Sequence, residues 1–207
     1  TRLILYTDEA SFGRNGVINS HNLHYWSDEN PHAIIETRHQ RQFYVNVWSG
    51  IIGPYLLGPF VLPPRLNGQR YLDFLVHQLP QLLEDVDLET RNALIFMHDG
   101  APPHFSAAVR DHLNEVYPNR WIGRGGPIHW PARTPDMNPL DFFFWGHLKN
   151  LVYSTPVTTR EELEERIFYC ANEIRQNPEM LWRVQQSSVK RARICIRGGG
   201  TNIENLL

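Results

Sequence analysis

Cysteine is scarce in this sequence. Cys170 and Cys195 are the only two in 207 residues, and they form no CxxC pair. That excludes a disulfide-stapled scaffold and leads us to expect a reducing compartment. The chain also has no apolar run near the roughly 20 residues that cross a bilayer, and its start, "TRLILYTDEA", lacks a signal-peptide layout. No membrane partner is expected. A large net charge is missing too: the balance is −2. Without a global basic field, any nucleic-acid partner must be held by local patches or by another part of the molecule. The ten histidines include no HxxxH or HxH pair, which counts against zinc. Internal repeats and low-complexity segments are likewise absent.

What is present is enough apolar material, 42% of residues, for one sizeable core, so a single domain over 1–207 is expected. Thr1 stands where an initiator Met would be and directly precedes a strand. An N-terminal domain ahead of this one is therefore expected.

The apolar run Leu3 to Tyr6 reads as a buried strand leading into Asp8 and Glu9. A long irregular excursion follows, with a small hairpin at Val17 to Trp26. Phe43 to Trp48 and Tyr55 to Val61 read as an antiparallel hairpin around a Gly-centred turn. Helical spacing from Tyr71 to Leu83 is interrupted by Pro80, which should kink or split the helix. "NALIFMHD" is a continuous apolar run fitting a strand covered on both faces. Then come an amphipathic helix in "HFSAAVRDHLNEVY", a short strand in "RWIGR", and a Gly/Pro-rich loop leading to a helix with Pro139 in its first turn. A Thr-capped helix with acidic first-turn residues and a last helix from Pro178 to about Arg193 complete the chain. This order predicts an α/β sheet with an antiparallel edge.

Three aspartates occupy special points. Asp8 is expected to close the first strand, Asp99 the apolar run, and Asp141 falls in the first turn of a helix after the proline-rich loop. Side-by-side strands would bring Asp8 and Asp99 to one edge, and a returning helix would add Asp141. Three gathered carboxylates repel one another unless a hard divalent cation joins them. Each aspartate alone also fits a solvated turn or a helix-dipole partner, and spacing does not decide between these readings.

Longer motifs add to this. "YTDEASF", "HDGAPPHF" and "TPDMNPLDFFFWGHLK" together resemble the catalytic domain of mariner-type DDE/D transposases of the Tc/mariner superfamily, insect-type elements in particular. The resemblance runs in order through "TTREELEERI" to "CIRGGGTNIENLL". It implies a ribonuclease-H-like fold, a mixed five-stranded sheet flanked by helices. It implies that Asp8, Asp99 and Asp141 are the catalytic, metal-binding triad, with two Mg²⁺ ions (Mn²⁺ as substitute). Asp136, a rival for the third place, is read as a loop or capping residue. The stretch before Asp141 is longer than in the best-known mariner branch, and we assign the extra length to "YPNRWIGRGGPIHW".

The implied activity is metal-dependent nicking of DNA at transposon ends, then joining of the 3′-hydroxyl to target DNA. The implied setting is the nucleus, with a homodimer in the full-length protein. Residues 13–41 fall where relatives carry a clamp-like loop, and a plain surface loop fits the segment equally well. His104, Trp130, Arg133, Lys190 and Arg191 are the candidate DNA-binding residues, while a solvated helix face accounts for the basic group near Lys190 almost as well. Trp145 and Phe142 to Phe144 offer base stacking or, for the phenylalanines, core packing. Two other readings remain: a host-adopted relic that binds DNA or protein without cleaving, and a generic ribonuclease-H-like nuclease.

Overall fold

In the computed structural model, which describes residues 3–14, 43–130 and 135–199, the frame is a five-stranded mixed sheet with strand order β3-β2-β1-β4-β5. β1 (Ile4–Gly13), β2 (Tyr44–Ile52) and β3 (Tyr55–Leu62) form an antiparallel meander, whereas β4 (Ile95–Met97) and β5 (Trp121–Ile122) run parallel to β1. Because side chains alternate across a strand, each strand supplies both faces. Tyr6, Val47, Ile51 and Met97 face one core with Leu148, Leu163, Ile167 and Leu181. Leu5, Trp48, Phe96 and Trp121 face the other with Tyr71, Phe74, Val109 and Leu113. The first core is roofed by α5 (Trp145–Val152), α6 (Arg160–Arg175) and α7 (Pro178–Arg197). The second is roofed by α1 (Gly68–His77) and α4 (Ala107–Val116), with short helices α2 (Leu79–Leu82) and α3 (Leu88–Ala93) between them.

Local chemistry sets the element ends. The Asn67 side chain accepts from the Arg70 N–H at 2.9 Å and starts α1. Pro80, which cannot donate within a helix, falls in the first turn of α2, so the expected interruption is a clean split. Thr159 caps α6 by accepting from the Glu162 N–H at 3.1 Å. The α7 side chain Gln185 is buried and accepts from the Gly53 N–H while donating to the Ile4 carbonyl at 3.2 Å, which ties the helix to the middle of the sheet.

Two expectations are corrected. Asp8 does not close β1: the strand continues to Gly13 because Thr7 through Gly13 keep a full antiparallel ladder with β2. The segment after Pro139 does not begin as a regular helix; Leu140–Phe144 form a π-turn before α5. The excursion expected at 13–41, including the hairpin at 17–26, lies outside the described residues beyond Arg14.

Gly123, just past β5, has no room for a side chain. A Cβ there would stand 2.5 Å from His98 Cδ2, and His98 is boxed in by Tyr71, Phe96 and Trp121. Gly123→Ala is expected to destabilise by about 1–3 kcal/mol through overpacking, measured by chemical denaturation, whereas Gly146→Ala, with nothing within 4 Å, should not destabilise.

Candidate active site

Strand pairing builds the first half of the site. β1 and β4 run parallel with Tyr6 opposite Met97, and the Thr7 hydroxyl donates to the Met97 carbonyl at 2.7 Å. Two residues further along stand Asp8, within β1, and Asp99, in the loop two residues past the end of β4, so Asp99 does not itself close the strand as expected but follows it at the same end of the parallel pair. The second half arrives through Asn138. Its side-chain amide donates to the Thr7 carbonyl at 3.3 Å and its oxygen accepts from the Leu140 N–H at 3.2 Å. That pair of bonds fastens the turn Pro135–Met137 to β1 and starts the π-turn carrying Asp141, which lies close enough to Asp8 for each carboxyl to act on the other's ionisation.

Side chains around the acids orient them. The Trp145 indole N–H donates to Asp8 Oδ2 at 2.7 Å. Asp99 Oδ1 accepts from the Ala101 N–H at 2.9 Å and lies 2.7 Å from His104 Nδ1, whose Nε2 is 3.4 Å from Glu9 Oε1. His104 is therefore a bridge between two carboxylates. It is 2% exposed and lies against Tyr71 and His98, with ring centroids at 4.1 and 4.8 Å.

No protein-family model matches the chain. Over 154 residues, 73% of this chain, the sequence is 26% identical to the Tc3 transposase of Caenorhabditis elegans. The chain spans 42% of that relative's length. In structure it resembles the catalytic domain of Mos1 mariner transposase, with TM-score 0.69 and 19% identity, covering 97% of this chain and 84% of that one. It also resembles Mos1 in a paired-end complex with Mn, with TM-score 0.71 and 20% identity, covering 97% and 56%. The likeness to Mos1 shows a shared fold, the mixed five-stranded sheet flanked by helices, and the similarity to Tc3 transposase is one of sequence.

Within the site the carboxylates are not electrostatically alike. Burial, together with the charge of Asp141, pushes Asp8 up to about 8 against the opposing hydrogen bond from Trp145. Burial and the charge of Asp99 push Asp141 up to about 6, against a hydrogen bond with Asp8 and the charge of Lys149, which pull it down. Asp99 goes the other way: burial would raise it, but the hydrogen bonds from His104 and Ala101 outweigh that and hold it below the usual carboxylate range. For His104, burial would favour the neutral ring, yet Asp99 and Glu9 overcome it and push the imidazole up to about 10. His98, buried and beside His104, is driven down to about 3 and stays neutral, its Nδ1 at 3.2 Å from the Tyr71 hydroxyl.

Asp8, Asp99 and Asp141 present only carboxylate oxygen, the donor type that a hard divalent cation takes, and the charge of Asp141 helps to raise Asp8, a repulsion that a cation would relieve. Among the described residues, however, no group of three or more His, Cys, Asp or Glu side chains is placed to hold a metal ion.

The other sequence candidates are dispersed. Asp136 is buried in the turn before the π-turn, where its carbonyl accepts from Arg191 Nη1 at 3.0 Å. Arg191 also lies over the Phe142 ring at 3.9 Å, so it joins α7 to the loop carrying Asp141. Trp130 packs edge-on against Tyr6 at 6.5 Å, and Lys190 is exposed. Arg133 lies outside the described residues. Phe144 is core, as packing against a sheet requires, while Phe143 stacks on His147 at 5.5 Å. Sequence reasoning missed the roles of Asn138, Trp145 and Glu9, although all three lie inside the quoted motifs.

Two outcomes follow for the metal-free chain. Asp8 and His104 both bind protons more tightly folded than unfolded, Asp8 up to about 8 and His104 up to about 10. Stability should therefore fall as pH rises from about 6.5 to 8, and Asp8→Asn should flatten part of that slope in a series of thermal melts. Trp145→Phe keeps the ring but removes the donor to Asp8. It should weaken Mn²⁺ binding about 10-fold or more, read by calorimetry, and an unchanged affinity would show that the indole does not orient Asp8 for a cation.

Proposed function

We propose that this chain is the catalytic domain of a metal-dependent DNA transposase, nicking DNA at transposon ends and joining the freed 3′-hydroxyl to target DNA. The observation that carries this reading is the placing of Asp8 on β1 and Asp99 just past the end of the parallel neighbour β4, with Asp141 brought within electrostatic reach of both by the Asn138 tie to β1. Similarity to Tc3 transposase and the likeness to Mos1, which has been seen with Mg, with Mn and with a left transposon end, support it. Asp8, Asp99 and Asp141 would hold the ions. Mg²⁺, with Mn²⁺ as substitute, supplies activation of the attacking oxygen and stabilisation of the leaving one in phosphodiester chemistry.

The chain's own residues prepare that site. Trp145 fixes one oxygen of Asp8, and the pair His104 and Ala101 fixes one oxygen of Asp99. These bonds set carboxylate direction before substrate arrives, which lowers the ordering cost of binding. Glu9 turns to the opposite side of β1 from Asp8, as strand alternation requires, and engages His104 rather than the cluster. Full-length protein working as a homodimer belongs to the same proposal.

The test compares the parent with Asp99→Ala in Mn²⁺ binding and in cleavage of a DNA duplex carrying the element's end. The expected result is binding and cleavage by the parent, with cleavage at least about 1,000-fold lower in the variant, in line with the several kcal/mol of charge stabilisation a bound metal supplies. A parent that binds DNA but neither binds Mn²⁺ nor cleaves would instead establish the host-adopted, non-catalytic reading.

A further inference from the structure

The outer face of α7 has no part in the chemistry described above. This helix carries five basic residues, Arg183, Lys190, Arg191, Arg193 and Arg197, against one acid, Glu179, in a chain whose overall balance is −2. Positive charge is thus concentrated on one element while the rest of the chain is acidic. Arg183, Lys190 and Arg197 recur every seven residues, and Arg193 falls three after Lys190. Spacing of this kind puts all four on one side of a helix, over a length of about 21 Å from Arg183 to Arg197. All four are exposed, and none has an ion pair or side-chain hydrogen bond among the described residues.

Position gives the stripe its meaning. Between Lys190 and Arg193 the helix is fastened to the acidic site: Arg191 donates to the Asp136 carbonyl and covers Phe142, the residue after Asp141. That anchor falls within the length of the basic stripe, so the stripe runs past the level of the segment that carries the third carboxylate, on the outer side of the helix. A polyanion engaged by the acidic cluster would meet repulsion from Asp8, Asp99, Asp141 and Glu9, and a row of unpaired cations on the helix tied to that segment offsets it. A row about 21 Å long matches a phosphate backbone, which offers a charge every 3.4 Å along each strand.

We propose that the Arg183, Lys190, Arg193 and Arg197 face of α7 is a docking surface for the phosphate backbone of duplex DNA, holding the substrate beside the acidic site. It rests on the reading of this chain as a DNA-cleaving domain. A second stripe, Trp182, Val189 and Ile196, lies one residue out of phase and is 41, 46 and 78% exposed. That stripe is what a second copy of the chain would use instead, and the test separates the two.

The test measures binding of a fluorescent duplex by anisotropy, in Ca²⁺ to block cleavage, across a salt series. It compares the parent, a variant with all four basic residues changed to Gln, and a Trp182→Ser, Val189→Ser, Ile196→Ser variant, each checked for folding by thermal melting. The expected result is an affinity for the four-Gln variant about 100-fold weaker at moderate salt, with the slope of log K against log salt shallower by about 3 to 4. Mn²⁺ affinity at the acidic site should stay as in the parent. Equal affinity and slope in parent and four-Gln variant overturn the docking surface while leaving the proposed activity standing. A dimer of the parent that only the three-Ser variant dissociates, with DNA affinity unchanged by the Gln changes, assigns the face to a second copy and also overturns it. Absence of DNA binding and of cleavage by the parent overturns the proposed activity and the surface with it.

Discussion

Parallel pairing between β1 and β4 is the constraint on which the rest depends. Three residue pairs, Ile4 with Ile95, Leu5 with Phe96 and Tyr6 with Met97, set the register of the short central strand. Since side-chain period is two, a slip of one residue would send Met97 and Phe96 into each other's cores, and it would move Asp99 away from Asp8. The burial of Leu5, Phe96 and Met97 at 0% exposure makes that slip costly. Core packing therefore holds the acidic pair in place without any bond between the two acids.

Much of this frame is legible in the sequence because it follows from pattern. The apolar run before His98 announces a strand, and Thr159 with the acidic residues after it announces the start of α6. The π-turn at Leu140–Phe144 is not legible, since it arises where the Asn138 tie and the docking of Phe144 and Trp145 impose different phases on one helix. Nor is the continuation of β1 past Asp8, which is dictated by its partner β2 rather than by its own residues. Asp8, Asp99 and Asp141 are legible as a set only through long motifs, because each taken singly has an ordinary local use. Trp145 is read from the sequence as a surface for base stacking, and only the fold reveals that its N–H meets Asp8.

The three acids also divide the electrostatic labour unevenly. Asp99, flanked by a histidine cation and a backbone N–H, is held ionised, while Asp8 and Asp141 hold protons to higher pH. Glu9, one residue from Asp8 yet on the other side of the strand, contributes through His104. Alternation along one strand thus separates the acid that faces the cluster from the acid that sustains the charge of its neighbour's partner.

Asp8 sits within a strand ladder and Asp99 two residues past one, so both follow the sheet. The third acid follows a different anchor: the Pro135–Met137 turn meets β1 through the Asn138 amide and α7 through the Arg191 guanidinium, and Asp136, Asn138 and Leu140 are buried. Displacing Asp141 from the other two would therefore mean exposing these side chains and breaking both ties, so the position of the third acid reports the docking of α7 as well as that of the sheet.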